Sequence, residues 1–133
     1  ECIRCYFPSL KNKPLADIIL ITLACILLFT GIIFYKNYYT SCTFILTAVF
    51  IGIIYWYKNY FKNFDAASIL VAYGIILIPF LIVNGFLTAI PVVLYNNAEN
   101  LGIRIYTIPF EDVFYGMLLV LMNIAFYEKL KNK

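Results

Sequence analysis

The chain has 133 residues, 64% of them hydrophobic and only 13% charged, with a formal net charge of +3 and no histidine. Soluble domains carry roughly 45–50% apolar and about 25% charged residues, so a water-soluble globule is excluded, and the high hydrophobicity excludes disorder. What remains is one all-α integral-membrane domain, a polytopic helix bundle without histidine chemistry.

The chain opens at Glu1 rather than Met, which is the expectation for a processed product or a fragment. The first apolar stretch runs from about Leu15 to Tyr35. At 1.5 Å per residue, its ~21 residues span about 31 Å, the thickness of a bilayer core. It follows Arg4, Lys11 and Lys13 as a signal peptide's apolar segment would. Such segments are only about 7–15 residues long and end in a small-x-small cleavage site, so this one reads as a spanning helix. Lys36-Asn37-Tyr38-Tyr39-Thr40-Ser41 ends it.

The second stretch runs from about Cys42 to Tyr57 and closes on Tyr55-Trp56-Tyr57, an interfacial aromatic group. The third runs from about Ala66 to Ala89, with Asp65 placed to cap it and Pro79 placed to kink it. A loop from about Ile90 to Ile108 follows. It is half apolar and is expected to pack on the bundle or re-enter the interface, with Asn96-Asn97 and Asn100 as turn formers. The fourth stretch runs from about Pro109 to Tyr127, with the proline expected in the first helical turn.

Basic residues then give an orientation. Arg4, Lys11, Lys13, Lys58, Lys62, Lys129, Lys131 and Lys133 fall on one side of a four-span chain, against Lys36 and Arg104 on the other. The positive-inside rule puts both termini in the cytoplasm. No basic patch suits nucleic acid. The four cysteines are too sparse for a disulfide scaffold, Cys2-x-x-Cys5 has no second pair for zinc, and Cys25 and Cys42 read as small packing residues.

Intramembrane carboxylates are costly and mark function by default. Glu111 and Asp112, beside Pro109, Phe110, Phe114 and Tyr115 where the chain enters the membrane, are the main candidates. Acids in a first turn also complement the helix dipole, which is the bland reading. Adjacent helical residues lie ~100° apart, so the two acids have different tasks. Asp112 aligns with Tyr115, Gly116, Leu119 and Asn123, and Glu111 with Tyr115 and Leu118. Asn123 suits an interhelical hydrogen bond. Tyr73, Phe80, Asn84 and Thr88 form one stripe of the third helix, with Gly85 permitting close approach. Asp17 reads as an interfacial or capping acid, and Arg104 as a partner for Glu99, Glu111 or Asp112.

Four segments then point to a family. Asn84-Gly85-Phe86-Leu87-Thr88, Tyr95-Asn96, Asn100-Leu101-Gly102-Ile103-Arg104-Ile105 and Ile108-Pro109-Phe110-Glu111-Asp112-Val113-Phe114-Tyr115-Gly116 resemble the carotenoid cyclases of the heterodimeric lycopene cyclase type. These are small integral-membrane proteins, also found as fused single chains. The resemblance covers about residues 64–128, and residues 10–63 match only in hydropathy. It implies two tandem repeats, each with a Pro-x-Glu-Glu or Pro-x-Glu-Asp helix entry. This chain shows one such entry, and Glu1-Cys2-Ile3-Arg4-Cys5-Tyr6-Phe7 looks like the tail of the first repeat's motif helix. The expectation is therefore the C-terminal part of a two-repeat cyclase in a bacterial inner membrane, completed by the missing repeat or a partner subunit.

The reaction that the resemblance implies closes the linear ψ end of lycopene, or of a related linear carotenoid, to a β-ionone ring without net redox. It needs an acid, a dry pocket, π faces for a carbocation and a base. The assignment is Glu111 as proton donor, its acid form favoured by burial, and Asp112 as base or as orienter of Glu111. Phe110, Phe114 and Tyr115 stabilise the cation at about 2 kcal/mol each when desolvated. Asn84, Thr88, Asn123 and Arg104 complete the substrate-facing set. There is no GxGxxG and no strand pattern to hold one, so no flavin, nicotinamide or other cofactor site is expected. The rival reading is a non-enzymatic membrane subunit or transporter fragment, with the same carboxylates as ion relay or helix interface.

Overall fold

The structure is a computed structural model and describes residues 2–7, 13–57, 65–90, 92–96 and 98–131. A short helix, α1 (Cys2–Tyr6), precedes four long ones: α2 (Pro14–Ile33), α3 (Tyr38–Trp56), α4 (Ala66–Ala89) and α5 (Glu111–Lys131). Each long helix is long and apolar enough to cross a membrane. Two-residue strands, β1 (Arg104–Ile105) and β2 (Ile108–Pro109), pair antiparallel just before α5.

Local chemistry sets the helix ends. Pro14 occupies the first turn of α2, where its fixed φ fits and its missing N–H costs nothing. The C-terminal N–H of Phe34 bonds Thr30 O at 3.0 Å, and a four-residue link turns the chain directly into antiparallel α3. Asp65 caps α4 by accepting from Ser68 N at 3.2 Å, as its position before the third apolar stretch predicts. The α4 helix runs from Ala66 to Ala89 through Pro79.

Three boundaries differ from the sequence reading. The second span begins at Tyr38 and not Cys42, so Tyr39, Thr40 and Ser41 are helical. Pro109 sits in β2, paired with Arg104, and the helix starts two residues later at Glu111. The fourth span also continues to Lys131, because basic residues in a last turn complement the dipole. The second loop with Lys58 and Lys62 lies outside the described residues, as do Lys11, Asn97 and Lys133.

The α2–α3 pair packs through Gly31, where an added Cβ would stand 2.9 Å from Ile45 Cγ1 and 3.3 Å from Phe44 Cβ. Leu27, Phe44 and Ala48 form one small core there, against Leu101 and Phe114. A larger core joins all four long helices around Leu20, Ile51, Ile54, Ala66, Met117 and Leu121. Gly116 of α5 lies against the Phe80 ring, 3.2 Å from Cζ to an added Cβ. Only 17% of the most apolar window of α4 is buried. Apolar side chains therefore coat the outside, as a lipid-solvated bundle requires. Cys25 and Cys42 lie on that exposed surface and not inside the packing.

Two glycines provide a matched test. Gly31→Ala should lower the thermal midpoint in detergent, because overpacking costs about 1–3 kcal/mol. Gly52 of α3 has open space around its Cβ position. Gly52→Ala should therefore raise the midpoint, with up to about 1 kcal/mol from helix propensity.

Candidate active site

The loop before α5 is fastened to the first turn of α3. Glu99 O accepts from the N–H groups of Tyr39 at 3.0 Å and Thr40 at 3.4 Å, so it serves as the cap that the α3 sequence does not supply. Asn37 Nδ2 donates to Asn100 O at 2.5 Å. Asn100 Oδ1 accepts from Gly102 N at 2.9 Å. Gly102 turns the chain with a φ of 72°, a backbone conformation that glycine adopts freely. Between these two residues, the Leu101 N–H donates to Glu111 Oε1 at 2.6 Å.

Glu111 has 0% exposure, and Thr40 Oγ1 donates to the same Oε1 at 2.6 Å. Its other oxygen, Oε2, is buried with no hydrogen-bond partner among the described residues. Asp112 is 2% exposed and is held differently: Tyr39 OH donates to Oδ1 at 2.5 Å and Tyr95 OH to Oδ2 at 2.6 Å. The ~100° between the two positions thus gives the two acids separate environments, as the helical geometry predicts. Burial pushes the Tyr95 phenol well above its ordinary range. The hydrogen bond to Asp112 and that carboxylate's charge act in the same direction, against Arg104, so Tyr95 remains a proton donor to Asp112.

Aromatic rings surround the acids. Phe114 stands edge-on to both Phe44 and Phe110, with centroids 5.2 Å and 5.3 Å away, and the rings of Tyr39 and Tyr95 are 6.1 Å apart. Tyr115 is half-exposed on the outer face. The α4 stripe faces this end of α5: Tyr73 OH donates to Val113 O, Phe80 covers Gly116, and the Thr88 and Thr107 hydroxyls bond at 2.5 Å. Asn84 is half-buried on the same stripe.

Other candidates are placed elsewhere. Asn123 is exposed and donates to Leu119 O of its own helix at 2.9 Å. At 1.5 Å per residue it stands about 17 Å along the axis from the acids. Its bond lies within one helix and not between helices. Arg104 Nη1 donates to Thr107 O at 3.2 Å. Asp17 accepts from Tyr55 OH at 2.6 Å and so ties α2 to α3 at the opposite end of the bundle. Among the described residues, no three Cys, Asp or Glu side chains are grouped to hold a metal ion.

Tyr39, Thr40 and the Leu101 amide are not singled out by the sequence. The detectable signal is Thr40, Thr43 and Thr47, buried at steps of three and four on the α3 face that continues to Ile51 and Ile54. Small hydroxylated residues on one face of an apolar helix mark a helix interface.

Thr40→Val should leave Glu111 Oε1 with one donor, lowering stability in detergent by about 1–3 kcal/mol. Thr40→Ser should restore most of that loss in the same thermal melt.

The family model described as Lycopene cyclase matches residues 36–130. That range takes in α3 with Thr40 as well as α4, the loop and α5, and begins well before residue 64. No curated protein and no solved structure matches the chain.

Proposed function

The chain belongs to the lycopene cyclase family, and from that premise we propose that Glu111 and Asp112 form the acid–base centre of a carotenoid cyclase. The observation that supports this most is the inequality of the two buried carboxyls. In a carboxylic acid the carbonyl oxygen accepts and the hydroxyl donates. Glu111 Oε1 receives two donors and Oε2 has none, the pattern of a neutral acid whose O–H is left for a π bond that forms no ordinary hydrogen bond. Asp112 accepts on both oxygens, at 2.5 Å and 2.6 Å. A carboxyl that accepts on both oxygens has no O–H left to offer, which suits it to the role of base.

The chemistry follows from that division. Glu111 Oε2–H protonates the terminal double bond of a linear ψ end. A new C–H bond forms, a tertiary cation appears and Glu111 becomes a carboxylate. The neighbouring double bond attacks the cation and closes the ring. A ring C–H then gives its proton to Asp112, leaving the ring double bond, and proton return to Glu111 resets the pair. Atoms balance and no electrons are exchanged, so the reaction as written needs no redox cofactor. The rings of Phe110, Phe114 and Tyr115 supply π density for the cation. With the basic chain ends on the cytoplasmic side, this centre lies near the opposite membrane face.

The test is pigment analysis of a lycopene-accumulating host expressing the complete enzyme. Glu111→Gln should lower cyclic product by about 10²–10⁴-fold, the usual share of general acid–base catalysis. Asp112→Asn should fall comparably, with the amide oxygen still accepting from one tyrosine and the amide N–H donating to the other. Near-normal cyclisation by Glu111→Gln overturns the acid assignment.

A further inference from the structure

The geometry points to a membrane-facing groove between α3 and α5 as the track for the rest of the substrate's polyene chain, with its far part in a cavity at the other end of the two helices. This inference rests on the proposed cyclase reading and extends it. The cavity has a volume of about 560 Å³ and is bounded mainly by Phe50 and Ile53 of α3, the following Tyr57, and Ala125, Phe126 and Lys129 of α5.

The register of the two helices connects this cavity to the acids. Thr40 meets Glu111, and Thr47 Oγ1 approaches Phe114 O at 3.4 Å, so α3 and α5 begin together and run parallel. On α3, Tyr39, Leu46, Phe50 and Ile53 recur at helical spacing on one face, which Tyr57 continues just past the helix end. That face borders the α5 seam on the side away from α2, which packs instead through Phe44, Ile45 and Ala48. On α5, Tyr115, Leu119, Met122, Phe126 and Lys129 recur on one face, on the side away from the α4 contact at Gly116. Both faces therefore start at the Asp112 cluster, where Tyr39 donates, and both end in the cavity.

The distance and chemistry select the occupant. Asp112 and Phe126 are separated by about 21 Å along the helix, and Lys129 by about 26 Å. Leu46, Ile53, Leu119 and Phe126 are all exposed, so the track opens sideways to lipid, where a long apolar chain is dissolved. An extended conjugated isoprenoid is a stiff rod that can keep one end at a fixed acid only if its remainder has a straight apolar path. Two parallel helix faces provide one.

The experiment uses the complete enzyme, with Ala125→Trp to fill the cavity from α5 and Ile53→Trp to fill it from α3. Ile53 is exposed, so that replacement does not burden the core. Two substrates are compared, lycopene and a shortened linear carotenoid with one ψ end whose chain stops short of the cavity. Both variants should lower kcat/KM for lycopene by about tenfold or more, the scale of a misfitted apolar pocket, and spare the shortened substrate. A binding arm uses Glu111→Gln, which should retain lycopene on purification, read by visible absorbance, and lose it when Ala125→Trp is added. An unchanged ratio between long and short substrates in both variants overturns the track, as does undiminished pigment retention, which would leave lipid tails as the occupants. Absence of cyclisation by the parent enzyme, with pigment retention still blocked by Ala125→Trp, would overturn the cyclase reading and leave the groove standing.

Discussion

One carboxyl group organises the molecule. Glu111 is fully buried at a helix entry, where an unsatisfied polar group is costly. Two donors reach it, one from a helix about seventy residues earlier in the chain and one from the loop before its own helix. Both depend on the seam of Glu99, Asn100 and Leu101 along the first turn of α3. The helix-to-helix register, the path of the loop and the direction of the Asp112 side chain all follow from meeting that demand.

The satisfaction is incomplete on one side. Two helices begin at the same place, and their positive ends favour a negative charge nearby. Asp112, held by two phenol donors, is the carboxyl with a donor on each oxygen, whereas both donors to Glu111 fall on one oxygen. In the proposed division of roles, an acid that protonates an alkene must not be stabilised as its anion beforehand, and the one-residue step between the two carboxyls gives each its own set of donors.

Much of this is legible in the sequence. The long apolar stretches fix the four spans, and the third is recovered from Ala66 to Ala89 because Asp65 marks its start chemically. Glu111 and Asp112 stand out because carboxylates are rare at membrane depth. What is not legible is the company they keep. Periodicity reports which face of a helix is apolar, but not which other helix meets it. Tyr39 and Thr40 read as the end of a loop because their polar neighbours, Lys36 to Ser41, resemble a helix stop. They are helical because Glu99 supplies their cap from far away in the chain. Pro109 misleads in the same way, since a short strand pairing claims it before the helix begins. Asn123 reads as a link between helices, yet its own helix offers a carbonyl one turn back.

The borrowed cap of α3 has a consequence for biogenesis. When the α2–α3 hairpin first leaves the ribosome and enters the bilayer, the carbonyl that finishes α3 has not yet been synthesised. Its leading amides must be served by interfacial water until the segment around Glu99 arrives, more than forty residues later. The nascent hairpin is thus stable as a span but unfinished at one tip. Its completion accompanies the insertion of α5, so the enclosure around Glu111 and Asp112 forms only once that helix is in place.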